Sequence, residues 1–165
     1  MGNRTAALDS VVGPAQTEGF ISRYQVDVGN IFVPRTLVVG TDLVAYTWDL
    51  TRRDGSVVTG MDFNVLQHGK VVDNWTFAGP WRDARAAGPG TGSLTAESLS
   101  GLVRSEADRR SLRVHRQPAV DPVRQTAAFL WTTADNEPGG IDVLLVRDGT
   151  VADSWSLPAY RPFRY

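Results

Sequence analysis

Cysteine is absent from the 165 residues, which excludes disulfides, thiolate nucleophiles and thiolate metal sites. Histidine occurs only as His68 and His115; two histidines without a thiol do not make a metal centre, so no metal is expected. Lysine occurs once, as Lys70, and the net charge is −1. No basic stripe is available to neutralise phosphates, so no nucleic-acid partner is expected. No run of eighteen apolar residues exists to span a bilayer, and residues 1–19 lack a charged segment followed by an apolar one. The chain is therefore expected to be cytoplasmic, with no membrane partner. Phosphate-loop, dinucleotide-fingerprint, zinc-helix and nucleophile-elbow patterns are missing as well, so no cofactor is expected.

What is present is an ordinary globular composition, 42% apolar and 21% charged, able to bury a core in one domain. Inside it a segment recurs. Residues 60–75 read GMDFNVLQHGKVVDNW and residues 140–155 read GIDVLLVRDGTVADSW, with six of sixteen positions identical and no gap. Chance would give roughly one identity over such a window. The expected organisation is a single domain, 1–165, made of two half-repeats at about 20–82 and 94–160, with a linker at about 83–93.

Strand patterns fill both halves. In the first they cover 20–28, 36–39, 43–50, 57–67 and 71–78, with Asp54-Gly55 and His68-Gly69 as turns. In the second they cover 113–117, 126–133, 141–147 and 151–157, with turns at 135–140 and 148–150. Trp48 and Trp131 stand at corresponding strand ends. One clear helix lies between the halves: Thr95 is its N-cap, and Leu99, Leu102, Val103 and Ala107 form its apolar stripe. A weaker helical pattern covers 5–12. The fold class is α+β and strand-rich, a curved antiparallel sheet or barrel-like cone built from two repeated β-meanders with one clear helix between them.

G-x-D, an apolar stretch, then [DH]-G-[KT]-V-x-D-x-W resembles the final hairpin of SnoaL-like proteins. These belong to the nuclear transport factor two-like superfamily, which includes ketosteroid isomerase. VVGTDLVAYTWDL at 38–50 is similar to the strand before it. The resemblance covers about 31–80 and, more weakly, 113–160. It implies a conical apolar pocket, usually in a dimer, here in a divergent form with a duplicated C-terminal meander. The first half has few residues for the helices that normally precede the family's strands, so the two halves are expected to complete each other within the chain or across a dimer.

The resemblance makes Asp62 the proton-moving carboxylate, with Asp142 its repeat; flanking apolar residues would desolvate either one and raise its pKa. Alternation leaves open that both acids face solvent or cap strand ends. Tyr24, Tyr46, Trp48, Asn64, Trp75, His115, Trp131 and Trp155 are the candidates for binding substrate, large rings with polar handles suited to a flat apolar ligand. Core packing is the plainer role for any one of these rings. Family cyclases often carry histidine where Trp48 stands, which weakens a His-Asp mechanism. Asp73 and Asp153 are expected to form rim ion pairs. The implied function is a cofactor-free tailoring enzyme, a cyclase, isomerase or epoxide-opening enzyme acting on an apolar polycyclic or polyketide-like substrate, in a homodimer. The alternative is a non-catalytic ligand-binding or dimerisation module on the same scaffold.

Overall fold

The computed structural model describes residues 2–5, 10–12, 31–79, 92–132 and 138–158. Within them lie eleven strands and one helix, in the order β1 (Gly2–Thr5), β2 (Ser10–Val12), β3 (Ile31–Val39), β4 (Leu43–Thr51), β5 (Val57–Gln67), β6 (Lys70–Ala78), α1 (Ala96–Arg109), β7 (Arg113–Val114), β8 (Ala119–Asp121), β9 (Thr126–Thr132), β10 (Gly140–Arg147) and β11 (Thr150–Pro158). The first sheet has the order β2-β1-β6-β5-β4-β3, and the second β11-β10-β9-β7 with β8 also on β9. All pairings are antiparallel except β1 with β6. Neither sheet closes on itself, so the chain is strand-rich with two open sheets.

Of the helix expected over 5–12, Thr5 lies instead in β1 and residues 10–12 form a strand paired with it; residues 6–9 lie outside the described residues. Sheet pairing along the β6 edge overrides a weak local preference. The strand expected over 20–28 lies outside the described residues. β8, three residues long, was not legible as a strand.

Alternation decides what each sheet buries. Val38, Ala45, Met61, Phe63, Trp75 and Phe77 of the first sheet meet Leu130, Ile141, Val143, Leu145, Trp155 and Leu157 of the second in one core. The opposite face of the second sheet, with Ala127, Phe129, Trp131 and Leu144, packs under Val103 and Ala107 of α1. That explains why β9 and β10 are apolar almost throughout while β11 alternates. α1 begins where expected, the Thr95 hydroxyl accepting the Ser98 amide at 3.2 Å.

The two hairpins share their local construction. His68-Gly69 and Asp148-Gly149 all take positive φ, the type I′ geometry that matches strand twist. Each hairpin then shifts register at the same place, between Val65 and Leu66 and between Leu145 and Val146. No helix among the described residues is long and apolar enough to cross a membrane.

Candidate active site

The G-x-D of each hairpin has a mechanical reason. Gly60 lies opposite Trp48 and Gly140 opposite Trp131. A Cβ on Gly60 would come within 2.7 Å of Trp48 Cε2, and one on Gly140 within 2.6 Å of Trp131 Cε2. Each indole therefore lies across the bare glycine backbone, and its N–H reaches the aspartate two residues on. Trp48 Nε1 donates to Asp62 Oδ1 at 2.8 Å, and Trp131 Nε1 donates to Asp142 Oδ1 at 2.7 Å. Glycine, tryptophan and aspartate form one unit, built twice.

The second carboxylate oxygen separates the copies. Asp142 is 0% exposed, and its Oδ2 accepts from the guanidinium of Arg110, the residue that caps α1. Arg110 Nη2 also donates to Ser156 Oγ at 3.2 Å. Its copy, Asp62, is half-buried, and its Oδ2 accepts instead from the hydroxyl of Tyr46 at 3.0 Å. Phe129, which has no hydroxyl, stands opposite Asp142 where Tyr46 stands opposite Asp62.

Asp62 has no ion-pair partner among the described residues. Burial pushes its carboxyl up to about 6, against the lowering by hydrogen bonds from Trp48, Tyr46 and Thr76. Neutral donors stabilise the anion less than a cation would, so the loss of hydration on burial prevails. The Tyr46 phenol is raised above its ordinary value by burial, then by the charge of Asp62 and the hydrogen bond to it. Tyr46 thus remains a proton donor at all working pH values.

Around this pair, Asn74 Nδ2 donates to Asn64 Oδ1 at 2.8 Å, and Asn64 Nδ2 donates to Val44 O at 3.2 Å. Thr76 Oγ1 donates to Asn74 Oδ1 at 3.2 Å. Phe32, 49% exposed, stands edge-on to Tyr46 with centroids 6.3 Å apart and tilted to Trp48 at 5.8 Å. All these side chains share the face of the first sheet turned away from the second. Strand alternation sends Met61 and Phe63 to the other face, so they do not flank the Asp62 carboxyl as the sequence implied.

Tyr46, Trp48 and Asn64 are thus gathered at Asp62. Trp75 and Trp155 lie in the core between the sheets, and Trp131 lies beneath α1. His115 packs edge-on to Trp75 at 6.2 Å. Arg116 stacks over Trp75, 4.9 Å from the ring centroid, and its Nη1 is 3.6 Å from Asp73 Oδ2, the rim pair expected there. Tyr24 lies outside the described residues. No group of three His, Asp or Glu side chains among the described residues could hold a metal ion.

The sequence reading missed Thr76 and Arg110. A signal for Thr76 existed: the hydroxyl after each repeated tryptophan, Trp75-Thr76 and Trp155-Ser156, is itself repeated. Nothing in the pattern pointed from Arg110 to an acid 32 residues later.

No protein-family model matches the sequence, and no curated protein does. Among solved structures, the chain is similar over 47% of its length to a protein described as a SnoaL-like polyketide cyclase, from Jannaschia sp. CCS1, with a TM-score of 0.40 and 17% identity. The alignment spans 62% of that chain.

Proposed function

We propose that the outer face of the first sheet is the site of a cofactor-free, acid/base enzyme of the cyclase or isomerase kind. Its substrate is small and apolar, with a polycyclic or polyketide-like skeleton. Asp62 moves the proton. The observation that carries this reading is the contrast with Asp142: the same carboxylate, without a described cation, in a less deeply buried residue, its carboxyl pushed up to about 6 by burial. A base is most effective when its pKa lies near the working pH.

In the proposed step, Asp62 as carboxylate removes a proton from carbon next to a substrate carbonyl. The resulting enolate is quenched when protonated Asp62 returns that proton at a different carbon, so the enzyme ends as it began. The Trp48 and Tyr46 donors hold the carboxyl fixed throughout, which lowers the entropic part of the barrier. Epoxide opening would use the same group, as base toward a water.

A cyclic β,γ-unsaturated ketone is a suitable probe, because its conjugated product is followed by absorbance. Asp62→Asn is expected to lower turnover by about 10²–10⁴, the usual contribution of a positioned proton-transfer group. Unchanged turnover by that variant would remove Asp62 as the base. The reading includes a homodimer in the cytoplasm; a monomer mass in light scattering would exclude the dimer.

A second reading is that of a non-catalytic ligand-binding module. Its support is Asp142, where the same glycine, tryptophan and aspartate unit is fully buried and ion-paired and so serves folding alone. Asp62-independent binding of the ketone without turnover would favour it.

A further inference from the structure

The second hairpin contains, in its own chain, an occupant for the position beside its aspartate. One nitrogen of the Arg110 guanidinium meets Asp142 Oδ2 and the other meets Ser156 Oγ at 3.2 Å. Ser156 is the strand partner of Asp142, and Thr76 is the strand partner of Asp62. The first hairpin therefore repeats the carboxylate, the cross-strand hydroxyl and the indole, but no described side chain supplies the cation. Of the basic groups near that sheet, Arg35 pairs with Asp49 at 2.9 Å, and Arg116, which follows β7, lies 3.6 Å from Asp73. Lys70 sits at the distant hairpin turn.

From this equivalence we infer that Asp62 and Thr76 receive an organic cation of the amidinium or guanidinium type, presented by the ligand where Arg110 is presented by the chain. The inference goes beyond the proposed function, resting only on its reading of this face as a ligand site; a cation bound there would compete with the apolar substrate for Asp62. Two parallel N–H donors fit a carboxylate and its neighbouring hydroxyl better than a single point charge does. A cation also offsets the desolvation of Asp62, which its neutral partners offset only in part. Phe32, half exposed beside Tyr46 and Trp48, offers a ring face for the apolar remainder of such a ligand, and aromatic faces favour a nearby cation.

The test uses the full chain, benzamidine hydrochloride as the cation, and benzamide as its neutral counterpart, in calorimetric titrations at pH 8. Benzamidine is expected to saturate one site, with benzamide at least about tenfold weaker, the factor that corresponds to losing one charge-assisted hydrogen bond. Asp62→Asn should lose benzamidine binding by a similar factor while keeping its near-ultraviolet circular dichroism. Tyr46→Phe makes the first hairpin like the second, where Phe129 stands; it frees Oδ2 and should tighten benzamidine binding by about two- to fivefold. Equal binding of benzamide and benzamidine, undiminished binding by folded Asp62→Asn, or weaker binding by Tyr46→Phe would each overturn the inference. Ketone turnover that depends on Asp62 in a protein that ignores benzamidine defeats this inference and leaves the proposed function standing. Benzamidine binding without ketone turnover has the reverse meaning.

Discussion

Between Asp62 and Asp142, one atom's partner changes the chemistry of a residue. Each carboxylate accepts an indole N–H, but Asp142 faces a guanidinium and Asp62 a phenol. The carboxyl of Asp62 is raised to about 6, above the value near 3.9 for an unfolded chain. Between those values the folded state binds more protons than the unfolded state. Stability contributed by Asp62 must then fall as pH rises from about 4 to about 6, and stay low above that. Asp62→Asn removes the charge that causes the loss. Urea unfolding should find the variant more stable than the parent at pH 8, by about 1–3 kcal/mol, and nearly equal at pH 4. A variant destabilised equally at both pH values would show that Asp62 acts as a structural acceptor and is not held against its ionisation.

Within the hairpin, the glycine, tryptophan and aspartate unit converts strand pairing into a fixed carboxylate. The indole needs the missing side chain at Gly60 or Gly140, since an alanine Cβ would overlap Trp48 or Trp131. Gly60→Ala and Gly140→Ala should each destabilise by about 1–3 kcal/mol, the cost of overpacking a filled site. Gly60→Ala should also shift the Asp62 titration, because Trp48 can no longer hold its oxygen; carboxyl carbon NMR reads both variants. In the second hairpin, Arg110 ties the end of α1 to the sheet. Arg110→Met strands a buried charge and is expected to cost about 3–5 kcal/mol, most of it recovered by adding Asp142→Asn. Full loss in the double variant would mean that packing, not charge, makes Arg110 necessary. The hairpins were legible in the sequence because their causes are local: a turn glycine, alternation, and a repeat with no gap. The partner of each aspartate was not legible, because Tyr46 comes from a neighbouring strand and Arg110 from a helix end. The motif put an acid at the same place in both hairpins, with Asp62 the favoured base, and could not show which partner each acid meets.

Across the whole molecule, the two sheets depend on a joint that no pattern announced. Asp121, at the end of β8, accepts the amides of Val123 at 3.1 Å and Arg124 at 2.9 Å, which is local turn chemistry. The same carboxylate reaches the first sheet, accepting the Val39 amide at 3.0 Å across 82 residues. Thr126 Oγ1 adds a second link, donating to Leu37 O at 3.0 Å. These bonds fix the first sheet's β3 against the second sheet, so the core between them closes in a single arrangement. A short polar turn such as 121–124 reads as surface in any sequence; only tertiary pairing gives it this duty. Burial raises the Asp121 carboxyl, but hydrogen bonds from the Arg124 and Val39 amides, with the Arg124 side chain, outweigh it and leave the carboxyl below its ordinary value. A depressed folded value contributes stability that is complete above the unfolded pKa and lost as pH falls through the folded one. Asp121→Asn keeps one acceptor oxygen and loses the charge. It should cost about 1–3 kcal/mol in urea unfolding at pH 7, a loss typical of hydrogen bonds to a charged group. That difference should narrow steadily below pH 4 as the parent's own carboxylate is protonated. A gap of constant size down to pH 3 would mean that the joint does not depend on the charge of Asp121.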